Sequence, residues 1–243
     1  RQLQVVRCSV QARRRSDGRQ RGVVDGLGAR GAVEQRGLRV HQHPARRVLL
    51  LVALDLLHFQ DALLGAARQG WTVIDMSTTP VKTTRAVAAQ FEAKGARYLD
   101  APVARTQQAA IDGNLSIMVG GDATVLEEFR EVLLCMGPDV THCGPVGCGQ
   151  IAKILNNMVV FQNGVALAEA ITIGRQAGMD GGHLLEIINK SSGGSFVGMN
   201  HGVKAMVPGS FPLKQFPARY ALKDLSYALL LAEDGGVAVP GAE

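Results

Sequence analysis

The feature that most constrains this chain is a change of pattern near Gly147. Before it, short apolar runs alternate with amphipathic stretches. After it, Gln150 to Ala177 is one mostly apolar helical stretch, and no strand signal follows. That stretch far exceeds the ~11-residue mean helix. Strands alternating with helices imply an α/β layer, and an unbroken run of helices implies a separate all-α part. The expected fold class is therefore α/β followed by all-α.

Individual elements follow from periodicity and punctuation. Ala62 to Arg68 is helix-compatible, with Gly70 placed to close it, and Trp71 to Asp75 reads as a buried strand. Val81 to Lys94 has helical periodicity after Pro80, with Thr78 or Thr79 placed to cap it and Gly95 to end it. Arg97 to Val103 and Leu115 to Val119 are strands, Ala123 to Met136 is a helix, and Asp139 to His142 is a short strand. Helical segments at His183–Lys190 and Arg219–Glu233 complete the all-α part.

Residues 6 to about 60 are unlike the rest. Residues 1–47 hold twelve arginines, no lysine and three acids, a charge of +9 that leaves the other 196 residues at −4. The overall +5 therefore belongs to one segment. That segment shows no sustained period of 2 or 3.6. A basic arm for nucleic acid lacks the interleaved aromatics and helix–turn–helix pattern it would need, so no nucleic-acid partner is expected. Gly26-Leu-Gly-Ala-Arg-Gly31 satisfies GxGxxG, but Asp25 interrupts the strand before it and little periodicity follows, so a chance match stands beside a dinucleotide loop. Arginine without lysine is also what a GC-rich gene yields out of frame.

No secretory signal pattern is visible, and the longest apolar run, Val48 to Leu57, is broken by Asp55. It falls far short of the ~20 residues of a membrane helix, so a cytoplasmic protein with no membrane partner is expected. Cys8, Cys135, Cys143 and Cys148 lack the spacing of a disulfide scaffold and read as free thiols. His41 and His43 have no further ligands nearby, so no metal is expected.

Lys153, Asn156 and Asn157 lie at i, i+3 and i+4 and share a helix face amid Ile151, Ile154, Leu155 and Met158. Such polar groups need partners. An oxyanion ligand is one solution, and a partly desolvated lysine suits acid–base work. A snorkelling lysine with two interhelical asparagines is the other. Gly144-Pro-Val-Gly147-Cys-Gly149 suits close approach to a ligand or a neighbouring strand, or a plain turn between domains. Asp75-Met-Ser-Thr-Thr-Pro80 leaves a strand for a helix, where hydroxyls meet ligands or cap the helix. Arg105 follows the next strand and either clamps an anion or is a solvated loop residue.

Taken in order, these stretches resemble the 3-hydroxyisobutyrate dehydrogenase family of β-hydroxy-acid dehydrogenases. They are Asp75-Met-Ser-Thr-Thr-Pro80, Leu99-Asp-Ala-Pro-Val103, Gly113 to Gly121, Gly144 to Gly149, Lys153-Ile-Leu-Asn-Asn157 and Lys223-Asp-Leu225. The resemblance spans about residues 70–240, roughly 70% of the chain. It implies a partial Rossmann-type parallel-sheet domain over 1–146 and a helical substrate and dimerisation domain over 147–243, joined by a long helix. It implies Lys153 as acid–base catalyst, Asn156 and Asn157 as substrate ligands, and Ser77, Thr78 and Lys223 as cofactor-binding residues. The family's glycine loop is expected upstream of or at residue 1, which makes 1–60 atypical, and the helical domain is short at Glu243.

Many members carry Ser-Gly-Gly where this chain has Ala104-Arg105-Thr106. An Arg-Thr pair there looks like the sulfolactaldehyde reductase branch, with Arg105 and Thr106 as substrate ligands. The resemblance thus implies an NAD- or NADP-dependent oxidoreductase interconverting a small 3-hydroxy acid and its semialdehyde, in a homo-oligomer. A sulfolactaldehyde reductase-like activity and an inactive binding or scaffold remnant are the alternatives.

Overall fold

The structure, a computed structural model, describes residues 10–14, 20–24, 40–43, 46–51, 64–65, 67–211 and 218–242. The glycine run at 26–31, Cys8 and residues 62, 63 and 66 of the expected helix at 62–68 lie outside them. The chain divides into two compact units, Arg1–Lys153 and Ile154–Glu243.

In the first unit, β1 (Val10–Arg14) and β2 (Gln20–Val24) form an antiparallel pair of their own. A seven-stranded sheet follows, with β3 (Val40–His43) antiparallel to β4 (Arg46–Leu51). Next, β4, β5 (Thr72–Asp75) and β6 (Arg97–Asp100) run parallel, with Leu51, Asp75 and Asp100 in register at their C-terminal ends. β8 (Ser116–Gly120) lies antiparallel to β6 and to β7 (Val103–Ala104), and parallel to β9 (Asp139–Gly144). The α/β reading holds, but the sheet is mixed rather than wholly parallel. The strand expected over Arg97 to Val103 is two, because Ala101 and Pro102 leave the ladder between β6 and β7 and Pro102 has no N–H to give it.

Strand alternation sends side chains to opposite faces, and a helix covers each. Val73 and Tyr98 point to α1 (Val81–Glu92), whose Val87, Ala88 and Phe91 complete one core. Ile74 and Leu99 point to α3 (Ala123–Leu134), whose Val125, Leu126, Phe129 and Leu133 complete the other. Gly95, at φ +72, closes α1 as its sequence position predicts. The expected threonine cap of α1 does not form: the helix starts at Pro80 with no side-chain cap. Thr79 Oγ1 pairs instead with Thr84 Oγ1 at 2.8 Å, so tertiary bonding takes the hydroxyl. A short helix the sequence did not signal, α2 (Gln107–Ile111), is capped by Thr106.

The helix α4 (Cys148–Gln176) runs from the first unit into the second. The second unit also holds α5 (Gly181–Lys190), a π-helix over Gly198–Met206 and α6 (Ala218–Asp234). Asp180 caps α5 by accepting from His183 N at 2.8 Å. Leu167, Ile171, Leu185 and Val197 form this unit's core. The all-α expectation after Gly149 holds, apart from the unforeseen π-helix.

Candidate active site

Asp75 and Asp100 end adjacent parallel strands, and both are fully buried. Buried carboxylates need donors. Asp75 Oδ1 accepts from Ser77 N (2.9 Å) and Ser77 Oγ (2.6 Å), while Oδ2 accepts from Tyr98 Oη (2.7 Å). Burial pushes the Asp75 pKa up, and the Ser77 and Tyr98 hydrogen bonds oppose that shift. Asp100 Oδ1 accepts from Gly147 N (2.7 Å) and Oδ2 from Gln150 N (2.9 Å). Burial raises its pKa too, against those two backbone bonds.

Those backbone donors belong to the first turn of α4 and its approach. A helix start exposes unpaired N–H groups and a positive dipole end, and Asp100 answers both. Two glycines make room. A Cβ on Gly120 would lie 2.5 Å from Asp100 Oδ1, and one on Gly149 would lie 2.4 Å from the Met118 carbonyl oxygen. The glycines of 144–149 thus serve, at Gly149, close approach to a neighbouring strand.

Gln150 joins the same turn to the loop after β5. Its Nε2 donates to Ser77 O (2.9 Å), and its Oε1 accepts from Thr79 N (3.2 Å). Ser77 is buried with its hydroxyl committed to Asp75, and Thr78 is half-buried between the two anchored residues. Lys153, half-buried, lies one turn beyond Gln150 on α4.

Arg105 has φ +86, the one positive φ outside glycine among the described residues. Its Nη1 donates to Asn114 O (2.9 Å) and Oδ1 (2.6 Å), and its Nη2 pairs with Asp139. Thr106 Oγ1 accepts from Ala109 N at 3.3 Å.

In the second unit, Asn156 Nδ2 donates to Asn157 Oδ1 (3.1 Å), and Asn157 Nδ2 donates to Asp224 Oδ2 (2.6 Å). Asp224, only 4% exposed, also faces Lys223 Nζ at 2.8 Å, a contact that is an ion pair rather than an aligned hydrogen bond. Lys223 Nζ sits 4.8 Å from the Tyr227 ring centroid. The structure thus brings Asn157 and the Lys223–Asp224 pair together. Asp100, Gln150 and Asp224 drew no role from sequence. Their partners lie 47 to 73 residues away, so no local pattern marks them.

Cys135, Cys143 and Cys148 are free thiols. Burial, then the charge of Asp100, pushes the Cys143 thiol up and away from nucleophilic use. Among the described residues no His, Cys, Asp and Glu group could hold a metal ion, and no helix is long and apolar enough to cross a membrane.

Parallel strands ending in register, followed by a hydroxyl-bearing loop and a helix start, are where open α/β sheets hold nucleotides. The Met76–Pro80 loop at that edge, with Thr78 half-buried on it, fits the polar groups of a dinucleotide. With a helical unit following in the chain, this is the element order of a nicotinamide-dependent dehydrogenase. The family profile described as the NAD binding domain of 6-phosphogluconate dehydrogenase matches residues 19–144. The profile described as NAD-binding of NADP-dependent 3-hydroxyisobutyrate dehydrogenase matches residues 147–243.

Among relatives, 2-(hydroxymethyl)glutarate dehydrogenase of Eubacterium barkeri is 35% identical over 178 residues, 73% of this chain and 59% of that protein. NAD-dependent L-serine dehydrogenase of Pseudomonas aeruginosa is 33% identical over 225 residues, 90% of this chain and 74% of that one. The solved 3-hydroxyisobutyrate dehydrogenase of Mycobacterium tuberculosis, with L-serine, superposes with a TM-score of 0.71 at 31% identity, covering 80% of this chain and 70% of that one. The chain belongs to the 3-hydroxyisobutyrate dehydrogenase family, as its motifs imply. It spans 59% of the length of the Eubacterium relative.

Proposed function

We propose that the protein interconverts a small 3-hydroxy acid and its semialdehyde with NAD or NADP, and that Lys153 moves the proton. The observation that carries this reading is the anchored first turn of α4, which sets a half-buried lysine one turn from the residue gripping the Ser77–Thr79 loop. The relatives' names, all hydroxy-acid or serine dehydrogenases, support the substrate class.

The bound nicotinamide supplies the acceptor or donor of a hydride. In oxidation, Lys153 Nζ as free amine takes the hydroxyl proton while the carbinol carbon loses its hydride and the C=O bond forms. In reduction, the ammonium returns that proton to the carbonyl oxygen. We assign the acid's carboxylate to Asn156 and Asn157, with Arg105 and Thr106 joining where the ligand competes with Asp139 for the guanidinium. Ser77, Thr78 and Lys223 are assigned to the cofactor. We read residues 1–146 as the dinucleotide-binding domain and 147–243 as the helical domain.

Arg105 also supports a second reading, sulfonate recognition in the manner of a sulfolactaldehyde reductase. Because Arg105 is engaged with Asn114 and Asp139, we favour the carboxylic acid. Exposed apolar residues on α4 (Val159, Val165, Ile173) and α6 (Leu222, Leu230) support a homo-oligomer, which we place in the cytoplasm. Lys153→Met tests the central assignment: kcat should fall by about 10²- to 10⁴-fold. An unchanged kcat would overturn it.

A further inference from the structure

We propose that Asp100 and Gln150 are positioning residues that together fix Lys153 against the Ser77–Thr79 loop. The proposal rests on the reading of Lys153 as the acid–base residue. Lys153 is three residues beyond Gln150 on α4, so the two share a side of the helix. Where the lysine stands therefore depends on where the first turn of α4 is held.

Two buried side chains hold that turn, each by two bonds. Asp100 spends one oxygen on Gly147 N and the other on Gln150 N, so the carboxylate spans the helix start rather than capping one amide. The two glycines beside it keep strand and helix turn close: Cβ atoms at Gly120 and Gly149 would each come within 2.8 Å of its oxygens, nearer than a side chain allows. Gln150 is itself fully buried, and both ends of its amide are used, on the two residues that flank Thr78. One side chain thereby sets the spacing between a lysine on α4 and the loop at the sheet's C-terminal edge. Neither residue needs to touch substrate for this. A catalytic group displaced by about 1 Å loses up to roughly 100-fold in rate.

The test uses the full chain and its variants Gln150→Leu, Gln150→Glu and Asp100→Asn. One readout is the split between kcat and KM for a 3-hydroxy acid. The other is the relative rate of reductive methylation of Lys153 against exposed Lys94 and Lys190, read by peptide mass spectrometry, which requires no turnover. In Gln150→Leu, kcat should fall about 10- to 100-fold with KM changed less than about 3-fold, and the relative methylation rate of Lys153 should change at least about 3-fold. Gln150→Glu keeps the acceptor for Thr79 N and should fall between Gln150→Leu and the unmodified chain.

A Gln150→Leu protein with lowered melting temperature but unchanged kcat and unchanged Lys153 labelling would overturn the proposal, leaving a merely structural role. If the unmodified chain shows no turnover, the acid–base reading fails on its own, and labelling still decides positioning. Unaltered Lys153 labelling in Gln150→Leu overturns positioning, and altered labelling sustains it. Should Asp100→Asn fail to fold, the two Gln150 variants carry the test alone.

Discussion

Tyr98 donates its phenolic hydrogen to Asp75 Oδ2 at 2.7 Å, inside the sheet and between strands that run side by side. Desolvation, then the Asp75 charge, holds the tyrosine well above its usual pKa, and desolvation likewise raises Asp75. A carboxyl with a raised folded pKa binds its proton more tightly when folded than when unfolded. Its contribution to stability therefore improves as pH falls through the folded pKa toward the ordinary aspartate value, and worsens as pH rises through the same window. Asp75→Asn removes that titration. The melting temperature of the unmodified chain minus that of the variant should rise as pH is lowered from about 7 to about 4. A constant difference would show that Asp75 titrates alike in the folded and unfolded chain.

Glycine-to-alanine changes at two positions of α4 should have opposite signs. Gly149→Ala drives a Cβ to 2.4 Å from Met118 O and 2.8 Å from Asp100 Oδ2, both held by the sheet. Overpacking there should destabilise by about 1–3 kcal/mol. Gly164 lies mid-helix with its nearest side-chain atoms 3.9 Å from an added Cβ, ordinary contact distance. Alanine there should stabilise by about 0.5–1 kcal/mol through backbone entropy. Urea denaturation of both variants measures the contrast, and a destabilised Gly164→Ala would refute it.

Arg105 occupies a left-handed conformation at the place where many family members have glycine. That conformation costs a side-chain-bearing residue about 1–2 kcal/mol. Its ion pair with half-exposed Asp139 returns at most about 1 kcal/mol. Arg105→Gly and Arg105→Ala both lose the pairing, but only glycine relieves the backbone. The glycine variant should be the more stable of the two by about 1 kcal/mol in urea melts. Asp139→Asn separates bracing from substrate binding. If Arg105 turns to the acid's carboxylate, KM for that acid should drop. A KM unchanged in Asp139→Asn and in Arg105→Gly would confine Arg105 to bracing the loop.

The passage from α/β to all-α was legible because periodicity is local: α1, α3 and α4 carry it in their own residues. What sequence could not give was set by partners far along the chain. Arg46–Leu51 opens with two arginines in a segment without sustained period, yet it lies parallel beside β5. The first family profile also begins at residue 19, inside that arginine-rich stretch. Thr79 looked like a cap but bonds to Thr84 and Gln150. The glycines before Lys153 signalled close approach without saying to what, and at Gly149 it is to β8 and Asp100. Asp100 reads as an interior residue of a strand over Arg97 to Val103, because the partners that give it a role stand 47 and 50 positions away. No helical signal marks the π-helix, because Gly198 and Gly202 weaken the pattern; its bonds, such as Val207 N to Gly202 O, span five residues.

The bond between Asn157 and Asp224 yields a final prediction. Asn157 Nδ2 donates to Asp224 Oδ2 at 2.6 Å, and both residues are buried. Asn157→Ala removes a donor from a buried carboxylate that still faces Lys223, and should destabilise by about 1–3 kcal/mol. Asn157→Asp is nearly isosteric but sets a second carboxylate against Asp224 where both side chains are buried. Lys223 offsets part of that repulsion, but two buried carboxylates in contact still disfavour double ionisation, so the folded variant binds a proton more readily, with a raised pKa, than the unfolded chain. Stability should be poorest at neutral pH and recover as pH falls through that raised value, so Asn157→Asp should gain melting temperature on acidification relative to Asn157→Ala. Parallel melting curves for the two variants at neutral and mildly acid pH are the measurement. If they keep a fixed separation, the Asn157–Asp224 contact is not the close, buried one described.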